Sequence, residues 1–62
     1  MTAKFIGITS NDFKTNIEYN IETTLINNLI YVKDKFSNSF RTYCSVEEFI
    51  NDWDINKKEQ LN

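Results

Sequence analysis

Two groups of side chains in this sequence have the types and spacing for recognition chemistry. Tyr31, Lys33 and Lys35 alternate along an aromatic and β-branched run, and Phe40 follows in the next such run. On extended, paired chains this alternation places all four on one side, with rings that can stack on bases and ammonium groups that can meet phosphates. Glu47, Glu48, Asp52 and Asp54 form the second group, falling within eight residues with no basic residue between Thr42 and Asn56. Such a run can meet a basic patch on a partner, in the extreme imitating DNA phosphates, although its usual meaning is a solvated face. Nothing in the sequence gives these carboxylates the burial or close pairing that general acid–base work requires.

Other chemistry is poorly served. The chain holds one cysteine, Cys44, and no histidine, so an intramolecular disulfide is excluded and neither a nucleophile–base pair nor a structural zinc site is expected. A thiol next to a helix start would be reactive if exposed, but a small packed side chain is its ordinary role. With one glycine in the chain there is no phosphate-cradling loop and hence no nucleotide hydrolysis. The expectation is a protein that is not an enzyme and uses no cofactor or metal.

Two elements must position these groups. Ser45, Val46, Glu47 and Glu48 fit a capping box, with Cys44 and Phe49 at the staple positions. Val46, Phe49, Ile50 and Trp53 then recur at i, i+3, i+4 and i+7, which predicts a helix of two to three turns docked by one apolar stripe. Asp52 and Asp54 fall at its unfavourable end, where Lys57 and Lys58 can partly offset them. Before it, residues 29–35 and 39–43 read as a hairpin around Phe36, Ser37 and Asn38. A register setting Asp34 against Arg41 also sets Val32 against Tyr43.

Upstream, residues 4–9 (KFIGIT) suit a first strand with Ile6 and Ile8 on one face and Phe5 on the other, Gly7 marking a bulge or a close backbone approach. Ile17, Tyr19, Ile21, Thr23 and Leu25 alternate with polar residues, the longest period-two run in the chain. Asn27 and Asn28 suit a two-residue turn, which opposes Leu25 to Ile30, Thr23 to Val32 and Tyr19 to Phe36. One face then collects Ile17, Tyr19, Ile21, Leu25, Ile30, Val32 and Tyr43 beneath the helix. The fold class expected is α+β, a meander of three to four antiparallel strands with one C-terminal helix on one face. Phe13, Ile17, Ile21 and Leu25 are also spaced by four, so a helix over residues 11–27 and a β-α-β-β-α order form the alternative; β-branched residues and the cleaner alternation favour the strand.

With 62 residues, 40% hydrophobic and 15% aromatic, the chain has the composition of one folded domain over residues 1–56, with residues 57–62 as a solvated tail. A domain of this size buries about 60% of its unfolded surface, so a second subunit or another partner is a natural source of added stability. Nine acidic against seven basic residues give a net charge of −2, too mild to point to nucleic acid or a membrane surface. No segment reads as a secretion signal or a membrane span, and a reducing cytoplasm is the simplest location.

Residues 31–54, YVKDKFSNSFRTYCSVEEFINDWD, resemble small orphan proteins of phages and mobile elements of AT-rich Gram-positive bacteria, in the hairpin ending in an aromatic and the Ser-x-Glu-Glu-Phe and Trp-Asp that follow. A lysine-to-arginine ratio of six to one and abundant Asn and Ile agree with an AT-rich genome. The resemblance implies an accessory protein that binds a host or phage protein, a class that includes inhibitors of host enzymes and defence nucleases, and it carries over no functional residue. The expected function is a cytoplasmic protein-binding module acting through Tyr31, Lys33, Lys35 and Phe40 or through Glu47, Glu48, Asp52 and Asp54, with homodimerisation on the sheet face. A single-stranded nucleic-acid binder using that basic aromatic face is the alternative.

Overall fold

The structure, a computed structural model, describes residues 1–55. Five strands form one open antiparallel sheet: β1 (Thr2–Phe5), β2 (Glu18–Ile26), β3 (Leu29–Asp34), β4 (Phe40–Tyr43) and β5 (Trp53–Ile55), in the spatial order β4-β3-β2-β1-β5. One helix, α1 (Val46–Asp52), joins β4 to β5. The class is α+β, as patterning predicts, but with one strand more than the three or four expected, and the helix leads into a strand instead of ending the fold. The expected tail, residues 57–62 with Lys57 and Lys58, lies outside the described residues.

The period-two run is a strand, which removes the helix over 11–27 and with it the β-α-β-β-α order. Asn27 and Asn28 take φ of 52° and 67°, the left-handed pair that a two-residue hairpin turn needs. Their turn sets Leu25 against Ile30 and Thr23 against Val32 as expected. The Tyr19–Phe36 pairing does not form: after the Lys35 amide donates to the Asn20 carbonyl at 2.9 Å, the chain turns away from β2 at Phe36, whose amide donates to Asp34 instead, and Phe36 is left exposed.

The β3–β4 register is two residues from the predicted one, with Val32 opposite Arg41 and Ile30 opposite Tyr43. Asp34 explains the shift. Its carboxylate accepts from the Phe36 amide at 3.2 Å and the Ser37 hydroxyl at 2.8 Å, while its own amide donates to the Ser39 carbonyl at 3.0 Å. An aspartate engaged in closing its own turn is unavailable to an arginine across the strand.

β1 lies earlier than the predicted 4–9. Ala3 and Phe5 point into the core, and at Phe5 the chain turns out of the ladder: the Ile6 amide donates to the Asp52 carbonyl at 2.7 Å and the Asn16 amide to the Phe5 carbonyl at 2.7 Å. Ile6 and Ile8 are therefore exposed. The segment between β1 and β2 is tied by Ser10, whose hydroxyl accepts from the Asp12 and Phe13 amides, and by Thr15, which donates to the Gly7 carbonyl at 2.6 Å. These bonds deliver Phe13 into the core.

α1 opens as predicted, Ser45 accepting from the Glu48 amide at 3.2 Å and Glu48 returning to the Cys44 amide at 3.0 Å. It stops early. Trp53, expected as the fourth member of the helix stripe, takes φ −131° and ψ 123° and starts β5. No helix residue is buried, and Val46 and Ile50 are 63% and 52% exposed. Trp53 serves the core better from the strand, packing edge-on against Phe13 at 4.9 Å and Phe5 at 5.1 Å between ring centroids. The core is Ala3, Phe5, Phe13, Ile21, Val32, Tyr43 and Trp53.

Candidate interaction surfaces

Behind the rings lies a polar relay. The Trp53 indole donates to the Tyr43 hydroxyl at 3.0 Å, and that hydroxyl donates to Asp52 Oδ2 at 2.8 Å. Arg41 donates to the same oxygen at 3.3 Å and to the Ser10 hydroxyl at 2.9 Å, with its guanidinium 5.5 Å from the centre of the Phe5 ring. Burial, and then the hydrogen bond to Asp52, push the Tyr43 phenol up to about 12. Every polar group in the relay has a partner and its tyrosine stays protonated, so the relay joins β4, the α1–β5 junction and the Ser10 turn and leaves no free nucleophile.

The relay takes Asp52 away from the acidic group. Asp52 points inward to Arg41, Glu48 caps its own helix, and Asp54 stands on β5 opposite Lys4 of β1. Glu47 alone of the four stands on the helix surface without a hydrogen-bonded partner among the described residues. The four carboxylates thus belong to four different environments and do not form the single acidic surface expected of the helix.

The other predicted group does assemble. Tyr31, Lys33 and Phe40 lie together on the sheet face turned away from α1, around a shallow depression of about 250 Å3. The Tyr31 and Phe40 rings are nearly parallel, 15° apart with centroids 6.5 Å apart. Lys35 continues the same alternation, its amide donating to the Asn20 carbonyl at 2.9 Å. The register adds two carboxylates to this face: Glu22 is opposite Lys33, as the Asn27–Asn28 turn already implied, and Glu18 is opposite Lys4. This back face therefore alternates in sign from strand to strand and is not basic.

A third surface has no counterpart among the predicted sites. Met1, Leu25, Ile30, Val46, Phe49 and Ile55 line an apolar groove of about 560 Å3 on the helix side of the sheet. The nine residues of β2 reach about 30 Å, whereas the seven of α1 reach about 10 Å. The helix cannot cover the far end of the β2–β3 hairpin, and Leu25 is left 70% exposed. Leu25 and Ile30 were expected beneath the helix; comparing those two lengths in the sequence would have shown the gap. No helix among the described residues is long and apolar enough to cross a membrane.

Comparison of the chain with protein-family models, with curated proteins and with solved structures finds no match in any of the three.

Proposed function

We propose that this protein is a non-enzymatic binding module whose groove between α1 and the β2–β3 hairpin takes an apolar segment of another protein. The observation that carries this reading is the groove lining: six apolar side chains, two threonines and no titratable side chain. A concave apolar surface of this size suits one or two anchor side chains of a partner. An accessory protein that binds or inhibits a host or phage protein would work in this way.

The test is capture from a nuclease-treated lysate of an AT-rich Gram-positive bacterium, with native chain beside Leu25→Asp and Val46→Asp. Both positions are exposed, so neither change disturbs the core. A protein captured stoichiometrically by native chain and lost with both variants supports the groove; one retained by both places binding elsewhere. A second reading, binding of single-stranded nucleic acid, is favoured by the parallel Tyr31 and Phe40 rings beside Lys33. Glu18, Glu22 and Asp54 on the same face oppose it, since phosphates would meet carboxylates. It requires oligonucleotide binding that falls steeply with salt and is lost in Tyr31→Ala.

A further inference from the structure

The back face carries its charges in bands along the strands. β2 presents Glu18 and Glu22, while β3 and its continuation present Lys33 and Lys35. Among the described residues the one ion pair is Arg41–Asp52, so none of these four charges has a salt-bridged partner among those residues. Across the two strands the register gives three rows, with Ile26 beside Leu29, Thr24 beside Tyr31 and Glu22 beside Lys33.

A two-fold axis lying over this face, parallel to β2 and β3 and midway between them, carries β2 of one copy over β3 of another without changing the row. Each row then meets its complement: Ile26 over Leu29 of the second copy, Thr24 over Tyr31, and Glu22 over Lys33, every contact made twice. We propose that the back face binds a second copy of this chain in such a two-fold dimer, its two sheets packed back to back.

The size suits a weak, reversible dimer. Strands of 4, 9, 6, 4 and 3 residues at about 3.3 Å per residue and about 4.8 Å spacing give a face on the order of 400 Å2, about half of the roughly 800 Å2 per partner of a standard interface. Sheets pack face to face within about 30° of parallel, which keeps neighbouring rows in register. The match is specific to a second copy, because the same three rows supply both the pattern and its complement. This surface shares only Thr24 with the groove and does not depend on the groove's function.

Sedimentation equilibrium of the 62-residue chain and two variants tests it. The native chain is expected to show a monomer–dimer equilibrium. Lys33→Glu places carboxylates at both ends of its row and Glu22→Lys places ammonium groups there, so each variant alone should dimerise about 100-fold or more weakly. An equimolar mixture of the two restores opposite charges across the interface, twice, and should recover a heterodimer. A change that only disturbed the fold would not be rescued by mixing, and circular dichroism of each variant checks that the sheet is kept. A native chain monomeric at ~1 mM, single variants as dimeric as the native chain, or a mixture that stays monomeric would each overturn the proposal. So would a native monomer whose back face is instead occupied by an added single-stranded oligonucleotide.

Discussion

Tyr43 joins apolar packing and polar order at a single atom. Its hydroxyl accepts a hydrogen bond from the Trp53 indole and donates one to Asp52, so Tyr43→Phe keeps the ring and strands a buried N–H. The expected loss is about 1–3 kcal/mol, read from urea unfolding. The phenol is raised from 10.0 to about 12, so below pH 10 it is protonated in folded and unfolded chains alike and its contribution is complete. Between pH 10 and about pH 12 the unfolded chain sheds the proton more readily and stability falls. Tyr43→Phe should abolish that decline and remove the last step of the ultraviolet phenol titration. Gly7 is tied to the same relay. A Cβ there would stand 2.5 Å from Asp52 Oδ1 and 2.8 Å from the Phe5 ring, and Arg41 and Tyr43 leave that carboxylate little freedom. Gly7→Ala should therefore cost about 1–3 kcal/mol.

At the scale of elements, what was legible in the sequence was whatever depends on near neighbours. The Asn-Asn turn, the alternation in β2 and the Ser45 cap each rest on a few consecutive residues, and each is present. Ser45→Ala should lower stability by about 1 kcal/mol, and Asn28→Gly, relieving a side chain at φ 67°, should raise it by a few tenths up to about 1 kcal/mol, both by thermal denaturation. The illegible parts were decided by distant partners. β5 is three residues long, and its Trp53 sits at the spacing of a helix stripe; that it belongs to a strand follows from the space among Phe5, Phe13 and Tyr19. Likewise no local pattern marks Asp34 as closing its own turn instead of meeting Arg41. Of the site residues, alternation gathered Tyr31, Lys33 and Phe40 on one face, but Glu22 opposite Lys33, though implied by the register of the Asn27–Asn28 turn, was not drawn from it.

For the molecule as a whole, one ring cluster closes the core. Trp53 contacts Phe5, Phe13 and Tyr19, and the two strands nearest it, β1 and β5, are among the shortest. Trp53→Ala removes about 3–5 kcal/mol, and a core this small supplies on the order of 3–5 kcal/mol in all. The variant should show no cooperative unfolding transition by circular dichroism, whereas Trp53→Phe should retain one. Loss of the indole would also release the hold of the Tyr43 relay on the α1–β5 junction, so fold and junction should fail together.

The place of β1 inside the sheet, between β2 and β5, sets the order in which the protein can be made. On a chain emerging from the ribosome, β1 appears before either neighbour, and of the two β2 follows it early and β5 last among the strands. The β2–β3 hairpin, closed by a two-residue turn, can form on its own timescale of microseconds. The contact of β1 with β5, which pairs Ala3 with Ile55, must wait until nearly all the described chain is out and must close the largest loop in the fold. Folding is thus expected to begin at the β2–β3 hairpin and finish where β1 meets β5.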